Sequence, residues 1–553
     1  LVTCRTGDEL LILNSDKVQK RIPLPGHPSG VAVSHDGKTA YVSIAAPDGK
    51  ICKIDVDSGK ISQTVPAHHM PRAIILSPDG RTIYAANQFE NKIRAYDANT
   101  LSEKASGMAV RDPFSIAYSP LPRKLFVLNQ LPESKGGLYE ENIAAAVSVL
   151  NPDTLENIAR IDLPNGSINA QEIIVTKKYA YCTHVIARFN VPTTQVERGW
   201  INTNAISVID IEKNKLVATI LIDDIELGAA NPYGIVASEK FLIITQAGTH
   251  EISVIDRQAL EKRIEQAFEK SEDKQKTFSD ICNDLSFLVL DGYGPRHLAL
   301  SGGNLYAGMY YSDVLNKVDL DTLRVQKISI GGNENLNEIR KGDLYYHDAA
   351  LCFQKWLSCV TCHTEVRSDT LNWDLLNDGI GNPKQSKSML YAHFTPPSMI
   401  TAVRKDAKVA VRKGIQYIQF TRRPEKDSKA IDAYLSSLHE IPSPYLVDGK
   451  LSEAAERGEM YFEIAKCSYC HSGDYYTDMK RHDVDSGLDE YKGFAFDTPT
   501  LREVWRTAPY LYDGRARTIF EMLRKFNKDN KHGHTSDLTD QELKDLEEFV
   551  LSL

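Results

Sequence analysis

Over the first 330 residues, hydrophobic and polar positions alternate in short runs broken by Asp or Asn turns. One such segment returns at intervals of roughly 40 to 60 residues. It is seen at Ile51-Cys-Lys-Ile-Asp-Val-Asp-Ser-Gly, Ile93-Arg-Ala-Tyr-Asp-Ala-Asn-Thr-Leu and Val147-Ser-Val-Leu-Asn-Pro-Asp-Thr-Leu. It recurs at Ile206-Ser-Val-Ile-Asp-Ile, Ile252-Ser-Val-Ile-Asp-Arg and Leu315-Asn-Lys-Val-Asp-Leu-Asp-Thr-Leu. Leu10-Leu-Ile-Leu-Asn near the start makes a seventh copy. A Pro-x-x-hydrophobic strand and a Ser-x-Asp-Gly turn, as at Ser34 and Ser77, precede most copies. Four short strands per copy predict the blades of a β-propeller, which must stack to bury their faces. Seven blades are expected. Six or eight stay open, because insertions fall near residues 131–146 and 184–204. Three strands of the first unit precede residue 30, so a closing strand is expected from the end of the repeats. Residues 258–290, rich in Glu, Lys, Gln and Ala, predict a helix.

After Gly331-Gly-Asn-Glu-Asn-Leu-Asn the periodicity becomes helical, and Ile441-Pro-Ser-Pro marks a second break. The chain therefore divides into a propeller (1–335) and two mostly helical units, 336–445 and 446–553. The openings of those units echo each other, Arg340-Lys-Gly-Asp-Leu-Tyr-Tyr against Glu456-Arg-Gly-Glu-Met-Tyr-Phe.

Each helical unit carries one Cys-x-x-Cys-His motif, at Cys359, Cys362 and His363 and at Cys467, Cys470 and His471. With 9 Cys and 15 His in 553 residues, chance gives roughly 0.004 such motifs. Two thiols form thioethers to the haem vinyl groups, and the following His supplies a nitrogen to iron. A zinc site built from paired Cys-x-x-Cys needs no His directly after each pair. Two covalently bound haem c groups in two cytochrome c-type folds are thus expected, and with them redox chemistry.

A net charge of −9 without a basic stripe argues against nucleic acid. No apolar run reaches membrane-span length. Haem attachment points to a periplasmic or extracytoplasmic location, with a signal peptide removed. Cys4, Cys52, Cys182, Cys282 and Cys352 lie outside the motifs and read as mostly buried thiols.

The repeats resemble YVTN or NHL-like propeller units. The stretch from Phe496-Asp-Thr-Pro-Thr-Leu through Ala508-Pro-Tyr-Leu-Tyr-Asp-Gly to Ile519 resembles the bacterial dihaem cytochrome c peroxidase and MauG family, as does Leu538-Thr-Asp-Gln-Glu-Leu. Asn377-Asp-Gly-Ile-Gly-Asn-Pro-Lys and Thr395-Pro-Pro are similar to segments of propeller–dihaem fusions. That resemblance implies a reactive haem at His363, where hydrogen peroxide or another small oxidant binds, and an electron-transfer haem at His471. It implies a small redox protein, a cytochrome c or a cupredoxin, as electron donor. It also implies a Ca²⁺ held near Gln385, Thr507 and Pro509.

For the first haem, His393 is the leading distal ligand or acid/base, ahead of Met389 and Met399. For the second, the family's ligand position falls near Phe526, which cannot ligate, so His532 is expected, with His534 its competitor. The inter-haem Trp segment is replaced by Ile400-Thr-Ala-Val-Arg, leaving Trp373 or Trp505 for electron hopping. Gln416 and Gln419 stand where a distal carboxylate is expected. A non-catalytic electron carrier, with the propeller as docking module, is the competing reading; a substrate-binding propeller is a third. His184, Arg188, Trp200, Asn202, His250, Arg296 and His297 mark either a ligand or docking face of the propeller or its packing against the haem region.

Overall fold

The computed structural model describes residues 1–133, 142–190, 201–270, 278–281, 285–331, 335–376 and 383–553. Seven sheets built mainly of sequential antiparallel strands form a seven-bladed propeller. In the second blade the strands are Pro28–Val33, Thr39–Ile44, Lys50–Asp55 and Lys60–Pro66. Its Tyr41 and Ile51 pack on Ile74, Ile83 and Tyr96 of the third blade. Each such aliphatic burial is worth about 1.5–3 kcal/mol, so neighbours stabilise one another rather than any blade standing alone. The Ser-x-Asp-Gly turns have a physical basis: Asp36 accepts from Ser34 Oγ and from the Lys38 amide, while Gly37 supplies a φ of 71°. Ser77, Asp79 and Gly80 repeat that turn.

Two expectations change. Among the described residues, the first sheet has three strands and receives none from the end of the repeats. After Val325–Ser329 the chain soon enters a helix, and the ring closes through side chains instead. Leu11 packs against Leu315, Ile328 and Ile330; Lys317 Nζ lies 2.9 Å from Asp16; Arg21 donates to the Ile330 carbonyl. Second, among the described residues of 258–290 only the first part is helical. Helix α1 (Arg257–Lys270) is followed by Phe278–Ile281, parallel to Lys215–Leu221, and by Leu285–Val289, the fourth strand of the sixth blade. Packing the partly buried Leu288 against that blade outweighs helix propensity there.

The region after the propeller is helical. α2 (Glu338–His347), the single turn α3 (Cys359–Cys362), α4 (Ala407–Tyr417) and α5 (Glu425–Ser436) surround the first motif. α6 (Glu453–Ile464), α7 (Ile519–Lys525) and α8 (Asp540–Leu551) surround the second. Side-chain caps from Asn337, Asp406, Ser452, Thr518 and Thr539 start five of these helices. The echo between the units is a packing device. Gly342 of α2 lies against the Ala430 carbonyl of α5, and Gly458 of α6 against the Asp545 carbonyl of α8. A Cβ at either glycine would sit 1.9 Å from that oxygen, so only glycine allows the helices to cross so closely.

Candidate haem sites

In α3, Ser358 and Thr361 form a reciprocal capping box that shapes the first motif into one helical turn. The propeller grips this turn. Asn231 donates to Ser358 Oγ and accepts from Thr361 Oγ1, both at 2.8 Å. Asn169 donates to the Thr361 carbonyl at 2.7 Å, and Asn202 Nδ2 lies 3.9 Å from Cys362 Sγ. The strands Tyr179–Ala187 and Asn202–Asp210 run nine residues each, so Val185, Ala187 and Ile201 reach Leu371, Trp373 and Cys362. Asn202 stands out in the sequence beside its insertion; Asn169 and Asn231 come from different blades, and nothing local marks them.

The His363 Nδ1 lies 2.9 Å from the Lys387 carbonyl, and the His471 Nδ1 lies 3.1 Å from that of Tyr476. A backbone acceptor on Nδ1 fixes the tautomer and leaves Nε2 free to bind a metal, the usual support of a ligating imidazole. Burial lowers both histidines, keeping the rings neutral as ligation requires.

The His532 ring faces that of His471, with centroids 6.4 Å apart and planes at 29°. Two imidazoles sharing one metal at about 2 Å from each nitrogen need a separation close to this. Burial, with His471 adding to it, pushes His532 down to about 4, so it too is neutral. Asn527 holds it there, accepting from the His532 amide at 2.8 Å and donating to the Gly533 carbonyl and Thr535 Oγ1. His534 is exposed and turned to the surface.

The first site differs. Among the described residues no second ring stands opposite His363. His393 Nε2 lies 3.0 Å from Asp432, which Arg412 also holds at 2.7 Å, and His393 Nδ1 is buried without a partner. Met389 packs with Cys359 and Ile415, and Met399 is a turn residue at φ 77°. Gln419 is buried with an unpaired Nε2, whereas Gln416 accepts from Lys413. Close by, Asp369 accepts from Trp373 Nε1 at 2.8 Å and from Ser386; burial pushes its carboxyl up to about 7 against those bonds.

Gln385 and Pro509 both lie against Gly514, and Thr507 Oγ1 donates to the Val504 carbonyl. Among the described residues one group fits a metal by its ligand atoms, Cys470, Asp478 and His482, within 4.8 Å of one another. Trp505 packs on Phe89 and His69 of the propeller at 5.1 and 6.2 Å. His184 is buried against Ser207, His250 Nε2 lies 3.1 Å from Asp348, and His297 Nδ1 lies 3.7 Å from Glu172. Trp200, Cys282 and most of Asn377–Lys384 lie outside the described residues. Cys4, Cys52, Cys182 and Cys352 are free thiols. No described helix is long and apolar enough to cross a membrane.

A buried ion network ties the parts together. Glu503, fully buried, accepts from Arg367 at 2.6 and 2.8 Å and from the Ile441 amide at 2.6 Å. Burial alone would raise its carboxyl, but Arg367 and Arg506 hold it below the usual range. Arg506 also reaches Glu365, which pairs with Arg72 and Gln88 of the propeller.

Fold and motifs define a class: a seven-bladed propeller continuous with a helical region that bears two Cys-x-x-Cys-His turns. A family model described as Lactonase, 7-bladed beta-propeller matches residues 13–116. Hydrazine synthase subunit gamma of Kuenenia stuttgartiensis is 30% identical over 272 residues, covering 39% of this chain and 77% of the relative. The chain belongs to the family of that subunit. Hydrazine synthase subunit beta of the same organism is 26% identical over 182 residues, covering 29% of this chain and 47% of the relative. A solved structure of Kuenenia stuttgartiensis hydrazine synthase aligns with a TM-score of 0.49 at 21% identity, over 59% of this chain and 90% of that one.

These relatives overturn the expected membership of the dihaem peroxidase and MauG family. The residues behind that expectation build the scaffold around the second motif: Thr498 and Thr500 donate to the Lys480 and Tyr475 carbonyls, and Thr518 caps α7.

Proposed function

We propose that this chain is a redox subunit of a hydrazine synthase-type assembly, carrying haem c covalently at both motifs. In Kuenenia the gamma and beta subunits are separate proteins, and here one chain resembles both. The observation that carries the reading is the asymmetry of the sites: His471 faces His532, while His363 faces no second ring among the described residues. Haem c, once bound, supplies one-electron chemistry at iron and, where an axial position is open, a place for a small molecule.

Cys359 and Cys362, and Cys467 and Cys470, would hold the two groups, with His363 and His471 as ligands. His532 closes the second site, which suits electron transfer. Lys387 and Tyr476 orient the ligating rings through their carbonyls. The outer edge of the second motif is open, with Tyr469 81% exposed, and there a small redox protein can dock; Thr361, its counterpart in the first motif, is fully buried. Asn169, Asn202 and Asn231 hold the first motif against the propeller. Attachment of haem c calls for a compartment outside the cytoplasm.

The full chain, produced with cytochrome c maturation factors, should show a mass increase of two haems and a ferric EPR spectrum with one bis-imidazole low-spin signal beside a distinct second signal. Absence of covalent haem overturns the reading. Two identical low-spin signals would make the chain an electron carrier alone. Haem at the first motif only, with a metal at Cys470, Asp478 and His482, would reassign the second site.

A further inference from the structure

A cavity of about 300 Å³ lies between the propeller and the first motif. Its propeller wall is made by one repeated position. Several blades begin their first strand with Pro followed by a variable residue: Pro71-Arg72, Pro113-Phe114, Pro232-Tyr233 and Pro295-Arg296. All four variable side chains line the cavity, joined by Arg5 from the first blade. The blade needs the Pro and the following apolar residues; it places no demand on the variable position, whose identity therefore belongs to the cavity.

Five arginines line this space, Arg5, Arg72, Arg296, Arg367 and Arg506, against two carboxylates, Asp343 and Glu365. Three of the five are matched: Arg72 and Arg506 each lie 3.2 Å from Glu365, and Arg367 lies 2.6 Å from Glu503. Asp343 is taken by Arg340, His347 and the Tyr311 hydroxyl. Among the described residues no carboxylate pairs with Arg5 or Arg296. Arg296 instead stacks on Tyr310, its guanidinium carbon 3.4 Å from the ring centroid, with Arg340 4.4 Å from the same ring. Burial would raise the Tyr310 phenol, yet Arg296 and Arg5 pull it below its ordinary value, the mark of an electropositive enclosure. Arginine cannot shed its proton to relieve such a charge, so these two half-buried guanidinium groups keep theirs facing the cavity.

We propose that this axial cavity is a binding site for a small oxyanion, a phosphate-like or carboxylate-bearing molecule, held between the guanidinium groups of Arg5 and Arg296. Two unmatched positive charges favour a dianion. Guanidinium groups recognise paired oxygens by two parallel hydrogen bonds. Tyr233, whose ring lies 5.3 Å from the Arg296 guanidinium carbon, adds an aromatic wall. The site does not depend on the haem assignments, and its test reads neither haem nor turnover.

Isothermal titration of the full holoprotein with inorganic phosphate and, separately, with succinate distinguishes inorganic from organic occupants, with chloride at equal ionic strength as control. Saturable binding at one site per chain by either, weakened at least tenfold in both Arg5→Gln and Arg296→Gln, is the expected result. No saturable binding by either anion up to about 10 mM, beyond the weak millimolar range, overturns the proposal. So does binding that both variants retain. Should the variants fail to fold, phenylglyoxal labelling of the unmutated protein decides. Phosphate or succinate should protect the peptides containing Arg5 and Arg296, and protection confined to other arginines, or none, overturns the site.

Discussion

The rings of His471 and His532 stand 6.4 Å apart, a gap that one metal ion with two imidazole ligands spans. His532→Ala should convert the second haem from low-spin to high-spin, seen in ferric optical and EPR spectra, and added imidazole should restore the original spectrum. His534→Ala should leave it unchanged. A low-spin spectrum that survives His532→Ala removes this residue from the iron.

Arg367 and Glu503 form a buried ion pair joining the two helical units. Glu503→Gln leaves the Arg367 charge with a poorer partner in a fully buried site. It should cost about 3–5 kcal/mol, the range for breaking such a pair from one side, measured by urea unfolding of the variant against the parent.

Gly458 meets the Asp545 carbonyl where α6 crosses α8. Gly458→Ala should destabilise by about 1–3 kcal/mol through overpacking. Gly414, in α4, has open space around its absent Cβ, so Gly414→Ala should instead stabilise by up to about 1 kcal/mol through helix propensity. Thermal melts of the two variants should move in opposite directions.

His184 is buried and neutral, pushed down to about 4 from 6.5 by burial. In the unfolded chain it takes a proton near pH 6.5, while in the fold it resists doing so until about pH 4. Stability from this group is therefore complete above pH 6.5 and is lost as pH falls toward 4. The loss is about 3 kcal/mol at most. His184→Gln should flatten that part of the pH profile of unfolding; an unchanged slope would show that other groups set it.

The blades are legible in the sequence because period and turn chemistry repeat: Ser34 and Ser77 make the same turn for the same reason. Ring closure is not, because Leu11 against Ile328 is a contact between distant segments with no local pattern. Counting from Thr518 leads only to Phe526, and His532 enters as the histidine that follows; its stacking opposite His471 appears only in the fold. Asn527, which holds His532 in place, looks like any loop asparagine until the turn forms around it. Likewise Asn169 and Asn231 acquire a role only when separate blades bring them to Thr361. The family resemblance misleads for a related reason: Thr498, Thr500 and Thr518 read as family markers, yet in the fold they serve local hydrogen bonding and helix capping.

The grip of three propeller asparagines on the first motif also bears on how a haem-carrying chain would be assembled. Were haem joined to Cys359 and Cys362 as proposed, the attaching enzymes would have to reach thiols whose flanking turn ends beneath the blades. On that reading the first site would be the harder to reach once the propeller has settled on it, whereas the Tyr469 edge of the second motif stays open. Maturation of a haem-loaded chain would then have a direction in time, set by which motif the propeller covers.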